Sequence, residues 1–184
     1  MHGGHRGTRT GHEGLFLNAA PSIALISISK PENPLKEIVI PREKAVFRLD
    51  AEGRWHNPHG RFEHKKIIDY FHASIRWDED GFFLFQERED CREKVYFPYA
   101  DTALFVFEVE FESEETRLVL NTGARISLVP EDLYVKGDRL YTRHDGLPVK
   151  FSEHCLMALA DRLIVDGEGY AIRIGGERYS IPEI

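Results

Sequence analysis

Residues 62–85, FEHKKIIDYFHASIRWDEDGFFLF, decide how the chain reads, because residues 151–174, FSEHCLMALADRLIVDGEGYAIRI, carry the same pattern. Each stretch reads as an amphipathic helix, a glycine turn and a buried strand. With Gly81 laid on Gly169, Ile68 falls on Leu156, Phe71 on Leu159, Ile75 on Leu163, Phe82 on Tyr170 and Leu84 on Ile172. After a shorter second connection, Glu93, Val95, Phe97 and Pro98 meet Glu177, Tyr179, Ile181 and Pro182. Self-similarity of this kind is the signature of a duplicated supersecondary unit, and it constrains the fold before local detail does.

Outward from that unit, the first helix places Ile67, Ile68, Phe71 and Ile75 on one face and Lys65, Lys66 and Asp69 on the other, the stripe of a helix laid on a sheet. In the second, Ser152 stands at the N-cap and Leu156, Leu159, Ala160 and Leu163 form the buried stripe. The runs GFFLFQ and KVYFPY form a hairpin across the polar loop at Glu87 to Arg92, and Ala103 to Phe111 is the most apolar strand. Shorter strands are expected at 37–40, 45–49, 54–55, 117–120, 125–129, 139–143, 149–151 and 177–181. Turns at Asp50 to Gly53, Asp145-Gly146 and Gly175-Gly176, with a helical turn at Pro130 to Leu133, separate several of them. Two helices and about ten short strands make an α+β fold, two repeated motifs in one compact body with mostly antiparallel sheet. The halves run from about 37 to 112 and from about 113 to 184.

Residues 1–36 differ in kind. They open Gly- and His-rich without periodicity and read as a flexible leader that need not belong to the native product, an upstream extension if Leu35 is the true start. Asn18 and Pro21 interrupt the apolar core that an export signal needs. The 184 residues carry 24 Lys plus Arg against 31 Asp plus Glu, a net charge of −7, so the average surface repels nucleic acid. Cys91 and Cys155 are the only cysteines and form no Cys-x-x-Cys pair, which fits a reducing cytoplasm. No apolar run approaches the roughly 18 residues of a membrane span.

No phosphate-binding, nucleophile-elbow or zinc-protease motif occurs. His56, His59, His64 and His72 cluster in sequence, yet two helical turns put the last two about 12 Å apart, too far to share one ion. His154 and Cys155 are adjacent on a helix, about 100° apart, and so cannot act as base and nucleophile for each other. Cys155 also falls opposite Ile67 in the repeat, which marks it as a small core residue. No catalytic residue, metal site or cofactor is therefore assigned. The leading expectation is a non-enzymatic, cytoplasmic binding or regulatory module with a small ligand or protein partner in the groove between the halves, where pockets tend to form. Asp50, Trp55, Glu93, Lys94, Asp101 and Asn121 are the candidate ligand-binding residues, with Lys94 meeting an anionic group and Trp55 stacking on the ligand. Two alternatives stand beside it: a metal-assisted, hydrolase-like enzyme built on the His56, His59 and His64 region with Asp50 or Asp69, and a structural interaction module. The latter would assemble, as a homo-oligomer for instance, through an exposed edge after Arg178 where Tyr179 and Ile181 pair across a symmetric interface.

The order Asp50-x-x-Gly53-x-Trp55, a helix ending Tyr70-Phe71, Gly81-Phe82-Phe83-Leu84, Glu93-Lys94-Val95, Asp101 and an apolar strand resembles an uncharacterised bacterial family, domain of unknown function 1285. The likeness runs from about Ala45 to the C-terminus. It implies a fold of two repeated α+β motifs, no established enzyme activity, and a role in bacterial signal transduction. One departure stands out: where the family tends to have Ala-Pro-Phe after its acidic residue, this chain has Thr102-Ala103-Leu104.

Overall fold

A computed structural model describes residues 36–112, 115–167 and 169–184. All of the expected leader but Lys36 lies outside them. The first part of the chain gives β1 (Lys36–Ile40), β2 (Arg48–Leu49), β3 (Trp55–Asn57), β4 (Gly60–Arg61), helix α1 (Lys65–Ser74), β5 (Ile75–Asp78), β6 (Gly81–Glu87), β7 (Cys91–Tyr96) and β8 (Leu104–Phe111). The second gives β9 (Thr116–Leu120), β10 (Arg125–Ser127), β11 (Tyr134–Lys136), β12 (Arg139–His144), β13 (Leu147–Phe151), helix α2 (Glu153–Leu159), β14 (Leu163–Asp166), β15 (Gly169–Ile174) and β16 (Glu177–Ile181). The fold is α+β and mostly antiparallel; among the described strand pairs only β1 with β7 and β8 with β13 run parallel. No helix among the described residues is long and apolar enough to cross a membrane.

Among the described residues four sheets result, ordered β1-β7-β6-β5, β10-β9-β8-β13-β12-β11, β14-β15-β16 and β2-β3-β4. In the first, Ile75 pairs with Leu84 and Asp78 with Gly81; in the third, Leu163 pairs with Ile172 and Asp166 with Gly169. In the hairpins that follow, Leu84 faces Val95 and Gln86 faces Glu93, while Ile172 faces Tyr179 and Ile174 faces Glu177. The surroundings differ: β1 extends only the first of these sheets, and α1 has ten residues to the seven of α2. The six-stranded sheet joins the two parts of the chain, because β8 lies between β9 and β13 with Leu104 opposite Val149 and Phe105 opposite Lys150. Trp55, Phe97, Phe105, Leu118, Val149, Leu159 and Ile172 are among its most deeply buried neighbours and form one continuous core.

Three expectations change. Ile75 and Leu163 continue the three-to-four spacing of the helical stripes, yet α1 ends at Ser74 and α2 at Leu159, and each residue opens a strand, β5 or β14. The Ile75 backbone is already extended, at φ −62° and ψ 129°. A residue that faces the core from the last turn of a helix and one that faces it from the first position of a strand give the same periodicity, which is why the pattern could not separate them. The strand expected over 45–49 is reduced to Arg48–Leu49, with Phe47 instead set edge-on to Trp55 and Phe71. The strand after Arg178, β16, is the outer strand of its sheet as expected, but Ile181 is buried and the chain beyond it is tied to β11: Val135 N–H donates to Pro182 O at 2.8 Å and Ile184 N–H donates to Val135 O at 2.9 Å.

Gly53 shows how tightly the Asp50 to Arg54 turn is seated on the sheet. Its φ of +75° is a conformation that side chains resist, and a Cβ there would stand 3.0 Å from the Phe105 ring. Gly53→Ala is expected to lower the unfolding free energy by about 2 kcal/mol, the left-handed strain plus displacement of a buried ring. A urea midpoint equal to that of the parent would show that the turn does not rest on Phe105.

Candidate functional site

The turn between β2 and β3 is built by Asp50. Its Oδ1 accepts the Glu52 and Arg54 amides at 3.0 and 2.8 Å, and its Oδ2 lies 3.2 Å from Arg54 Nε and 2.8 Å from His56 Nε2. Burial pushes the Asp50 carboxyl up, but the Arg54 amide, His56, the Glu52 amide and the Arg54 charge together outweigh it and hold the group below its ordinary value. Asp50 thus commits its carboxylate to the turn, in an Asx arrangement, and to His56.

The turn docks on the face of the six-stranded sheet where Tyr141, Lys150 and Phe105 lie side by side in register. Lys150 Nζ donates to Ala51 O at 2.8 Å and lies 3.5 Å from Asp101 Oδ2, which also accepts the Tyr141 hydroxyl. Burial, then the Asp101 carboxylate, push the Tyr141 phenol well above its ordinary value. The Lys150 side chain is only 8% exposed. A buried ammonium needs such partners, since an unpaired one loses its hydration without return.

Between the turn and the sheet lies a cleft of about 180 Å³. Ala51, Glu52 and Arg54 form one wall, and Arg139, Lys150, Ser152 and Glu153 the other, with Phe105 and Phe151 at its base. Arg54 pairs with Glu52 at 3.0 Å and Arg139 with Glu153 at 3.5 Å. These pairs lie toward solvent, where ion pairs are worth about 1 kcal/mol or less, so a competing anion can exchange with either carboxylate. Ser152 accepts the Cys155 amide as the N-cap of α2, at 3.4 Å. Among the described residues its own hydroxyl proton has no acceptor.

The six candidate residues do not converge on this cleft. Asp50 shapes its wall and Asp101 reaches it through Lys150. Trp55 is 1% exposed, so it is a core residue and not a stacking platform; Phe47, Phe71 and Phe97 meet it edge-on, and its Nε1 has no hydrogen-bond partner among the described residues. A strand-borne aromatic beside a turn looks exposed in sequence only because the turn's docking surface lies elsewhere in the chain. Asn121 is buried, donating Nδ2 to Ala103 O at 2.9 Å and to His72 Nδ1 at 3.0 Å, while its Oδ1 accepts the Phe105 amide at 3.0 Å. Glu93 and Lys94 are successive on β7 and point to opposite faces. Glu93 pairs with Arg88 at 3.3 Å, and Lys94 with Asp78 at 3.3 Å and Glu37 at 3.7 Å, so the cation expected to meet an anionic ligand is already neutralised.

The residues that line the cleft most distinctively, Arg139 and Lys150, are absent from the sequence-based selection. Lys150 did leave a signal: it stands between Val149 and Phe151, both buried, in a strand whose neighbours on both faces are apolar. The histidines disperse. His56 binds Asp50, His59 N–H bonds Asn57 in a turn, His64 precedes α1, and His72 is buried beside Asn121. Asp69 is paired with Lys65. Among the described residues no three of His, Cys, Asp or Glu converge as metal ligands. Cys155 is fully buried, as expected of a core residue, and burial pushes its thiol up, away from the reactive thiolate.

Fold and site together define an α+β body with a small, charged cleft at the docking of a turn on a sheet. The chain resembles DUF1285 family proteins. A DUF1285 family protein from Silicibacter pomeroyi DSS-3 shares the fold at a TM-score of 0.54 and 13% identity, over 80% of this chain and 82% of that one. A second, from Shewanella baltica OS155, aligns at 0.48 and 17% identity, over 65% of this chain and 93% of its own. No family model and no curated protein matches the sequence.

Proposed function

We propose that the chain is a non-enzymatic binding or regulatory module, made of two repeated α+β motifs, which holds a small anionic ligand in the cleft under the Asp50 to Arg54 turn. The repeat is supported by the strand registers: Ile75 with Leu84 and Leu163 with Ile172 are the pairs that the sequence alignment superposes. The observation that carries the binding reading is Lys150, a buried ammonium with two oxygen partners among the described residues for its three protons, lining a cleft with Arg54 and Arg139. Such a site takes a ligand without asking for chemistry, and no metal-ligand cluster accompanies it among the described residues. The resemblance to DUF1285 family proteins brings the expectation of a bacterial signalling role, and ligand-dependent stabilisation of the turn is the form that role takes here.

Melting the full chain with millimolar sulfate, phosphate, acetate and citrate tests the reading. At least one is expected to raise the melting temperature in a saturable way, as any ligand of the folded state must. Arg54→Ala is expected to weaken that effect about fivefold or more, a charge-assisted contact removed from an exposed wall. No saturable shift with any of the four, at matched ionic strength, rejects the reading.

A further inference from the structure

A second cavity adjoins the cleft. It measures about 160 Å³ and is lined by Leu140, Leu156, Leu163, Ile164, Tyr170 and Ile181, between β12, α2 and the sheet of β14, β15 and β16. Its wall is otherwise apolar, but Asp138 and Arg139 stand at it, and Arg139 is the residue it shares with the charged cleft. Glu153, the exposed partner of Arg139, belongs to the cleft and lies one helical turn from Leu156 of the cavity. Arg139, paired with Glu153, thus lines both an apolar chamber and a charged one.

We infer that the two together take a small amphiphilic carboxylate, its apolar end in the cavity and its carboxylate on Arg139 in place of Glu153. This rests on the reading of the cleft as a ligand site. The volume sets the tail: at ~30 Å³ per water-sized group the cavity has room for roughly five, an alkyl chain of about four to six carbons. The charge sets the head. A guanidinium's planar fork matches a carboxylate, and Glu153 already demonstrates that a carboxylate reaches this one. Lys150 and Ser152 on the same wall add donors, whereas a cationic head would have Arg54, Arg139 and Lys150 against it. Asp138 and Glu153 repel the anion, so the affinity is modest and the hydrophobic tail supplies much of it. A head without a tail binds weakly, and a tail with the wrong head does not bind.

Calorimetric titration of the full chain with hexanoate, acetate and hexylammonium, with ¹H–¹⁵N spectra to locate the response, tests this. Hexanoate is expected to bind about tenfold tighter than acetate and to move the amides of both Leu140 and Lys150, with no saturable response to hexylammonium. Arg139→Gln is expected to lower hexanoate affinity about tenfold. Glu153→Gln, at a side chain 76% exposed and so safe for folding, is expected to raise it about threefold by removing the competitor. Ala171→Leu, which fills the cavity from β15, is expected to bring hexanoate down to the affinity of acetate, its fold checked by circular dichroism. Equal binding of hexanoate and acetate, or weaker binding in Glu153→Gln, overturns the amphiphile and leaves the cleft as an anion site. Binding of hexylammonium as tight as that of hexanoate overturns carboxylate recognition. Silence from all three, with no anion stabilising the fold either, removes both readings.

Discussion

Asn121→Ala is expected to lower the unfolding free energy by about 4 kcal/mol, measured by urea denaturation at neutral pH. The side chain acts as a continuation of β9. Its backbone N–H donates to Phe105 O at 2.9 Å, and its amide then satisfies Phe105 N–H and Ala103 O, which would otherwise be unpaired where β8 begins. Truncation leaves those two groups and His72 Nδ1 without a partner in a buried site, and each orphan costs about 1–3 kcal/mol. Water entering the gap returns part of that sum, which keeps the total toward the lower end of the summed range. Asn121→Asp separates geometry from hydrogen bonding. A carboxylate still accepts from Phe105 N–H but cannot donate to Ala103 O, so it is expected to be destabilised too, though the shape is kept. A loss below about 1 kcal/mol in Asn121→Ala would mean that the network is not a structural requirement.

How far the sequence disclosed this molecule depends on the range of the interaction concerned. Ser152 as N-cap, the Asp50 to Gly53 turn, the Gly175-Gly176 hairpin and the helical turn at Pro130 were legible because each is decided within a few residues of chain. The boundary between α1 and β5 was not, because Ile75 is buried in either reading and only the partner strand β6 chooses between them. The site fared worse for the same reason. Nothing near Lys150 reveals that Ala51 O and Asp101 will come to it from 99 and 49 residues away. Nor does anything near Trp55 reveal that Phe71 and Phe97 will enclose it. Lys94 misled in the opposite sense: an isolated cation in a strand looked free, and Asp78 on the neighbouring hairpin cancels it. Of the charges that line the cleft, Lys150 comes from a strand interior, where local sequence gives it no partner, while Arg54, Arg139 and Glu153 come from a turn and from the first residues of β12 and α2.

Acid is expected to destabilise the protein through His72 well before the carboxylates titrate. The backbone partners of Asn121 fix its amide: Phe105 N–H must donate to Oδ1 and Ala103 O must accept from Nδ2. Nδ2 therefore donates to His72 Nδ1 as well, which requires that nitrogen to be unprotonated and places the imidazole proton on Nε2. Protonating Nδ1 would set donor against donor beneath the rings of Trp55 and Phe107, the latter brought over His72 at 5.1 Å by the β-bulge between Val106 and Glu108. Burial accordingly lowers the His72 pKa to about 4, against a small opposing pull from Asp69. The sign follows from linkage. A base whose folded pKa lies below its unfolded value makes no pH-dependent contribution above about 6.5, where neither state is protonated. Between about 6.5 and 4 the unfolded chain takes up the proton and the folded one does not, so stability falls as pH falls, by roughly 3 kcal/mol in all at ~1.4 kcal/mol per unit. Asp50, with its lowered pKa, loses its contribution only as pH falls from its ordinary 3.8 downward, below this window. Unfolding free energies from pH 7.5 to 4.5 are expected to fall steeply in the parent and markedly less in His72→Gln, which keeps a neutral acceptor near Asn121. Asn121→Asp supplies the converse: a carboxylate beside Nδ1 favours the imidazolium and is expected to bring the His72 titration, followed by its ring proton shifts, upward from 4. Parallel slopes in the parent and His72→Gln would assign the acid sensitivity to other groups and leave the buried imidazole a packing residue alone.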